Sequence, residues 1–257
     1  MTAVATTELS VRTTGGQAIL SDVSIEIEHG ETVLLCGQPG SGKSMLLKAI
    51  KGLLADRDDL RVDGEISRTA DIGIVFQNPA QQLVRSTVRR DIAFGLENRG
   101  IAVPEIESRI ERYAELLEAT HLLDRPTEAL SHGEAATVAL LGMLVVEPAI
   151  ILLDEPLATL DYPNQQLVID SIDRLIASDR TVVIAEHDTR ELLDRVDRVL
   201  LLEDGTIERT GQPSALGPAL YAAGMAVPFE LELQLAAEQT PPERSDQSTQ
   251  AGIERRE

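Results

Sequence analysis

Eight residues constrain this chain more than any other stretch: GQPGSGKS at 37–44. They follow TVLLC (32–36), a short apolar run suited to a strand buried on both faces, and precede a helical pattern from about Ser44 to Leu53. Strand, Gly-rich turn and helix in that order, with this spacing, predict a loop whose backbone N–H groups converge on phosphate oxygens. Gly40 and Gly42 let the backbone curl, and the helix start adds its positive end. Lys43 is placed to reach the β- and γ-phosphates, and the Ser44 hydroxyl to ligate Mg²⁺. All eight positions, Gly37, Gln38, Pro39, Gly40, Ser41, Gly42, Lys43 and Ser44, are therefore candidate binding residues for a nucleoside triphosphate.

A second element sits far downstream. IILLDE (150–155) is an apolar strand ending in two carboxylates. At the carboxyl end of a parallel strand, Asp154 is placed to hold Mg²⁺, directly or through water. Glu155 is placed to polarise an attacking water, a task that hydrolysis requires and simple nucleotide binding does not.

The pattern between these elements predicts an α/β protein. Residues 17–28 end in an alternation of Val23, Ile25 and Ile27; IGIVF (72–76), AIILL (149–153), TVVIA (181–185) and RVLLLEDG (198–205) read as further strands. Helical patterns cover 87–96, 104–119, about 133–146 and about 163–178, the second opening on Pro104–Glu105. Strands alternating with helices imply a parallel, doubly wound sheet, with a helical block inserted at about 79–147. From Glu238 the chain is polar without apolar period, the composition of a disordered tail.

Charge narrows the partners. The formal net charge is −20 with an isoelectric point near 4.5, and such a surface repels a phosphate backbone, so no nucleic acid is expected. Lys43, Lys48 and Lys51 are the only lysines among 23 cationic residues. That composition resembles proteins of high-salt cytoplasms, where salt screens like charges. One cysteine, Cys36, allows no intrachain disulfide, and MTAVATTELS lacks the features of a secretory signal. The longest apolar run, VALLGMLVV (138–146), is cut by Glu147–Pro148 and is too short to span a bilayer.

Six short motifs in order now show a resemblance. GQPGSGKS (37–44), VFQNP with Gln77, LSHGE (130–134), IILLDEP (150–156), ATLD (158–161) and AEHD with His187 resemble the nucleotide-binding subunits of ATP-binding cassette (ABC) proteins, through residues 6–210. The resemblance implies a P-loop NTPase (RecA-like) parallel core with an N-terminal antiparallel β subdomain and an inserted α-helical subdomain. It implies an ATPase domain over 1–212, followed by a C-terminal extension at 213–237 and the tail at 238–257. By the same token Gln77 would contact Mg²⁺ and the attacking water, and His187 the γ-phosphate. Asp161 would lie in a loop crossing to a second subunit, whose bound ATP Ser131 and Gly133 would contact. VFQNPAQQLVRSTVRRDIAFGLENRG (75–100) and GMAVPFELELQLA (224–236) look more narrowly like energy-coupling factor (ECF) transporters and their cobalt- and nickel-uptake relatives. That likeness implies two ATPase subunits on the cytoplasmic face of the membrane, driving a transmembrane coupling protein joined to a vitamin- or metal-binding membrane subunit. A soluble non-transport ABC ATPase and a weakly hydrolysing regulatory cassette are the alternatives.

Two departures stand out. Thr13 occupies the place of the family's usual adenine-stacking aromatic, and no aromatic precedes Phe76. LSHGE has His132 and Glu134 where Gly and Gln are usual, and Glu134 puts a negative charge where phosphate is expected. Thr13 leaves adenine without its usual stacking partner, and His132 and Glu134 favour a paralogue over an identical chain as the second subunit.

Overall fold

The computed structural model describes residues 1–158, 160–178 and 180–239, with positions 238 and 239 by backbone alone. An antiparallel sheet is built from β1 (Thr2–Thr13), β2 (Ala18–Glu28) and β4 (Leu60–Arg68), with β1 in the middle. A larger sheet combines β3 (Thr32–Cys36), β5 (Ile72–Val75), β6 (Ile150–Asp154), β7 (Thr181–Glu186), β8 (Arg198–Glu203) and β9 (Thr206–Gly211). Its order is β5-β6-β7-β3-β8-β9, parallel throughout except for the β8–β9 pair. The expected α/β class with a parallel core is thus the observed one, edged by one antiparallel strand.

The apolar runs in the sequence have a direct cause. In β3, Leu34 and Cys36 join one buried cluster while Val33 and Leu35 join another; β6 and β7 split their residues the same way. Side chains alternate across a strand, so a sheet covered on both faces fills the middle of its strands with apolar residues and leaves polar ones to the strand ends, as with Thr32, Asp154, Thr181 and Glu186. One face carries α1 (Lys43–Lys51), through Leu46, Leu47 and Ile50, together with the antiparallel sheet. The other face carries α2 (Val88–Glu97), α3 (Val103–Leu116), α4 (His132–Leu144) and α5 (Tyr162–Ile176). Each Leu or Ile buried this completely contributes roughly 1.5–3 kcal/mol relative to exposure.

Helix α4 explains the run VALLGMLVV. Val138, Leu140, Leu141 and Leu144 are all buried on different sides of it, as befits a helix surrounded by protein. The run stops at Glu147, whose backbone turns left-handed (φ 56°) and whose carboxylate receives Arg109, Arg112 and the Tyr113 hydroxyl. No described helix is long and apolar enough to cross a membrane.

Several boundaries and elements differ from the sequence expectation. Helix α1 ends at Lys51 rather than Leu53, because Gly52 turns left-handed (φ 88°) and its N–H caps the Ala49 and Lys48 carbonyls. Helix α3 stops at Leu116, short of 119. Strand β4 has no fully buried side chain, so no apolar alternation marks it; backbone pairing to β1 holds it in the sheet, with Leu60 and Ile66 half-buried against the core. After β9 come two unforeseen helices, α6 (Pro213–Ala222) and α7 (Phe229–Gln239). Helix α7 runs through Gln239, past Glu238, the expected start of the polar tail; positions 240–257 lie outside the described residues.

Parallel pairing sets the ends of three neighbouring strands side by side. Asp154 of β6 pairs with Ala185 of β7, and Glu186 of β7 with Cys36 of β3. The Gly-rich loop, the carboxylate pair and His187 all leave the sheet from this one edge, where ligands of parallel α/β sheets bind.

Candidate nucleotide site

The loop after β3 has the conformation its glycines foretell. Gly40 and Gly42 have φ of +86° and +110°, values an L side chain rarely adopts. Gly37 is required for a different reason: a Cβ there would meet the Leu202 carbonyl oxygen at 2.2 Å and Ser41 Oγ at 2.6 Å. The loop therefore rests directly on the backbone of β8. Helix α1 starts at Lys43, one residue earlier than expected, with Gly42 at its N-cap. Lys43 is 3% exposed; its ammonium donates to the Gly37 and Gln38 carbonyls at 2.8 and 3.3 Å and lies 3.4 Å from Glu155 Oε1. A buried cation so held is costly unless anions face it, and the loop is shaped to present one.

Across from the loop, Ser44 Oγ donates to Asp154 Oδ1 at 2.8 Å. Asp154 is 3% exposed, and burial raises its carboxyl above the usual range against the pull of the Ser44 hydrogen bond and Lys48. Glu155 occupies a left-handed backbone position (φ 49°), fixed by its N–H to the Ala185 carbonyl at 2.9 Å. Its Oε2 accepts from Gln77 Nε2 at 2.7 Å. Five of the sequence candidates thus fall into two directly bonded groups, Ser44 with Asp154 and Lys43 with Glu155 and Gln77.

His187 follows β7 and is attached to a residue the sequence reading passed over. Glu186 is 1% exposed; it accepts the Leu157 N–H on Oε1 at 3.0 Å and the His187 N–H on Oε2 at 3.1 Å. Burial pushes its carboxyl up to about 7. The His187 ring places Nδ1 3.5 Å from Glu186 Oε2 and finds no hydrogen-bond partner there. A carboxylate inside an otherwise apolar strand end, TVVIAE, was the available signal for Glu186.

The LSHGE segment is arranged otherwise than expected. Ser131 is the N-cap of α4: its Oγ accepts the Glu134 N–H at 3.2 Å, and Glu134 Oε2 accepts the Ser131 N–H at 2.8 Å. Glu134 Oε1 is also taken by Arg125 Nη1 at 2.5 Å. The Ser131 N–H and Arg125 hold the Glu134 carboxyl below its ordinary range. Its charge is turned back onto its own helix and paired, which removes the expected repulsion of phosphate. Gly133 has no room for a side chain, since a Cβ would meet Asn164 Oδ1 at 2.2 Å. Asn164 in turn is tied to Asp161, the N-cap of α5, through Nδ2 at 2.6 Å and its backbone N–H at 3.2 Å. His132 lines a cavity of about 350 Å³ together with Gln77, Pro79 and Pro156. No hydrogen bond or ion pair among the described residues joins Ser131, Gly133 or Asp161 to the phosphate loop. Thr13 closes β1, its hydroxyl accepting the Gln17 N–H at 3.1 Å.

The donor set can be tested against Mg²⁺. Ser44 and Asp154 offer hard oxygens within 2.8 Å of each other, and no cluster of three metal-ligating side chains exists among the described residues. One hydroxyl and one carboxylate beside a phosphate cradle suit Mg²⁺, which keeps waters and substrate phosphates as its other ligands.

A phosphate loop, a hydroxyl–carboxylate pair and a second carboxylate at one edge of a parallel sheet define a nucleoside-triphosphate-binding α/β protein. Comparison with known proteins places it further. Residues 20–158 match the ABC transporter family. The chain is 37% identical over 231 residues to the energy-coupling factor transporter ATP-binding protein EcfA1 of Halalkalibacterium halodurans, covering 85% of this chain and 82% of that one. It is 35% identical over 221 residues to a putative ABC transporter ATP-binding protein of Halobacterium salinarum, covering 83% and 95%. Among solved structures, cbiO1 from Clostridium perfringens, part of the ABC transporter complex cbiONQ, superimposes with a TM-score of 0.76 at 27% identity, over 93% of this chain and 95% of that one. The chain belongs to the ABC transporter family, as an ATP-binding subunit, and its reaction is ATP hydrolysis.

Proposed function

We propose that this chain is one of two ATPase subunits, bound to the cytoplasmic face of the membrane, that energise an ECF-type importer of a metal ion or vitamin through a membrane coupling protein. The observation that carries this is a surface groove of about 320 Å³ between β5, α2 and α4, lined by Leu83, Val84, Phe94, Gly95, Gly142 and Met143. Leu83, Val84, Phe94 and Gly95 belong to the segment 75–100, whose sequence looks like that of ECF transporters, and Gln77 lies in the same segment, five residues before Gln82, which also lines the groove. A mostly apolar groove of this kind suits a helix of a coupling protein.

At the site, the loop N–H groups of 38–44 and the start of α1 would hold the phosphates, with the Lys43 ammonium on the β- and γ-phosphates. Ser44 and Asp154 would hold Mg²⁺, with Gln77 contributing on the γ-phosphate side; the ion supplies charge neutralisation between those phosphates. Glu155, oriented by Gln77 at 2.7 Å, would take a proton from the attacking water. His187 would donate to the γ-phosphate. Ser131 and Gly133, at the start of α4, would face the ATP of the second subunit, with the Asp161 loop crossing at the same junction. That arrangement makes a lone chain a poor ATPase. With Glu134 paired to Arg125, only His132 still speaks for a paralogue as that second subunit.

The test uses the groove. A Cβ on Gly95 meets nothing within 4 Å, so Gly95→Trp leaves the fold intact and fills the groove. Purification from solubilised membranes should recover a multi-span membrane protein with the wild type and lose it with G95W. Recovery only with soluble complexes, or retention by G95W, overturns the proposal.

A further inference from the structure

The C-terminal extension touches both loops of the nucleotide site. Gln38, in the first variable position of the phosphate loop, donates Nε2 to the carbonyls of Ala223 and Gly224 at 3.0 and 3.2 Å. Two residues on, the Ala226 carbonyl accepts both the N–H and the hydroxyl of Thr189, at 3.0 and 2.7 Å. Thr189 is fully buried and lies two residues after His187. Asp188 and Ala226 form an isolated parallel bridge. The segment between these anchor points cannot slide freely: Met225 and Val227 are 4% and 2% exposed, packed into the cluster that contains Leu192, Leu193 and Leu220. Its start is fixed by the end of α6, where Gly224 (φ +75°) and Met225 donate to the Tyr221 and Leu220 carbonyls.

We propose that residues 223–227 are a strap that couples the phosphate loop to the His187 loop, with Gln38 and Thr189 as its two positioning residues. A short, buried, doubly anchored segment transmits displacement between its ends, because packed elements shift together rather than deform. Nucleotide entering the loop at Gln38 is thereby felt at His187 and at the root of helix α7. The extension is thus part of the nucleotide-sensing machinery rather than an appendage to it. Neither anchor depends on chemistry with the substrate: Gln38 uses its side chain on the strap, leaving its backbone to the phosphate, and Thr189 points away into the core.

The inference rests on the assignment of 37–44 as the phosphate loop, and the experiment separates the two. Amide hydrogen exchange is followed on the purified full chain with and without saturating MgADP, in the wild type and in Gln38→Ala, Thr189→Val and Thr189→Ser. In the wild type, MgADP should slow exchange in the loop (38–46), at Thr189 and across 224–227. In Q38A, compared at an MgADP concentration that saturates that variant by titration, the effect at Thr189 and 224–227 should be lost. T189V should lose the effect at 224–227, and T189S, which keeps the hydroxyl, should restore it. A purely structural role for Gln38 would change exchange equally with and without nucleotide. If the strap is slowed as strongly in Q38A as in the wild type, or not slowed in the wild type, the coupling is overturned. If the loop itself is not slowed, the phosphate-loop assignment falls and the coupling with it.

Discussion

At the residue scale, each glycine and carboxylate of the site does one identifiable thing. Gly37 shows that position in a motif and physical role are separable. Gly40 matters for its dihedral angle and Gly37 for its closeness to the Leu202 carbonyl. Gly37→Ala should therefore displace the loop from β8 and weaken MgADP binding at least tenfold, checked by calorimetric titration; binding within twofold of wild type would remove that explanation. Glu155→Gln should lower ATP turnover roughly 10²- to 10⁴-fold, the usual worth of a general base, while nucleotide still binds. Unchanged turnover would exclude Glu155 as the base.

Glu186 carries a stability prediction of definite sign. Its folded pKa, raised to about 7 from an ordinary 4.5, makes the folded chain bind a proton that the unfolded chain has released between those values. Stability from this group is fully present below about pH 4.5 and is lost as pH rises through about 7. Thermal unfolding of the wild type minus that of Glu186→Gln, measured between pH 5 and 8, should fall with rising pH. A flat difference would show that the carboxylate is ionised without cost where it sits.

At the scale of elements, the start of α4 holds the main revision. The sequence places a negative charge where phosphate is expected, whereas the structure closes it into a reciprocal cap with Ser131 and an ion pair with Arg125. Such caps are worth about 1 kcal/mol, and a partly exposed ion pair less. Ser131→Ala should thus lower the unfolding free energy by about 1 kcal/mol in urea titration. Glu134→Gln keeps a capping partner and loses only the Arg125 charge, so its loss should be smaller than that of Ser131→Ala; a larger loss would put the ion pair first. Gly133 has an equally local explanation, the closeness of Asn164. Gly133, offered for a partner's ATP, is therefore also where α4 meets α5.

At the scale of the whole molecule, charge and topology act separately. With a net charge of −20, self-repulsion opposes the compact state, and salt screens it over about 10 Å at 0.1 M and 3 Å at 1 M. The unfolding temperature should rise between about 0.1 and 1 M KCl, the concentrations at which those lengths apply. A fall would mean that the surface ion pairs, such as Arg198–Glu31 and Arg195–Asp173, outweigh the repulsion.

The sequence by itself determined the parallel core, because strands buried on both faces are apolar through their middles and announce themselves as TVLLC, IILLD and TVVIA. It determined the phosphate loop as well, since G-x-x-x-x-G-K-S encodes backbone geometry within one turn of chain. Strand β4 escaped it because edge pairing is made by backbone atoms, which carry no side-chain pattern. Only the tertiary structure decided where Glu134 spends its charge, what Glu186 holds and where Gln38 reaches. Those contacts join residues 9, 29 and 185 positions apart. The partner at such a distance is chosen by the packing of whole elements, and local spacing holds no record of it.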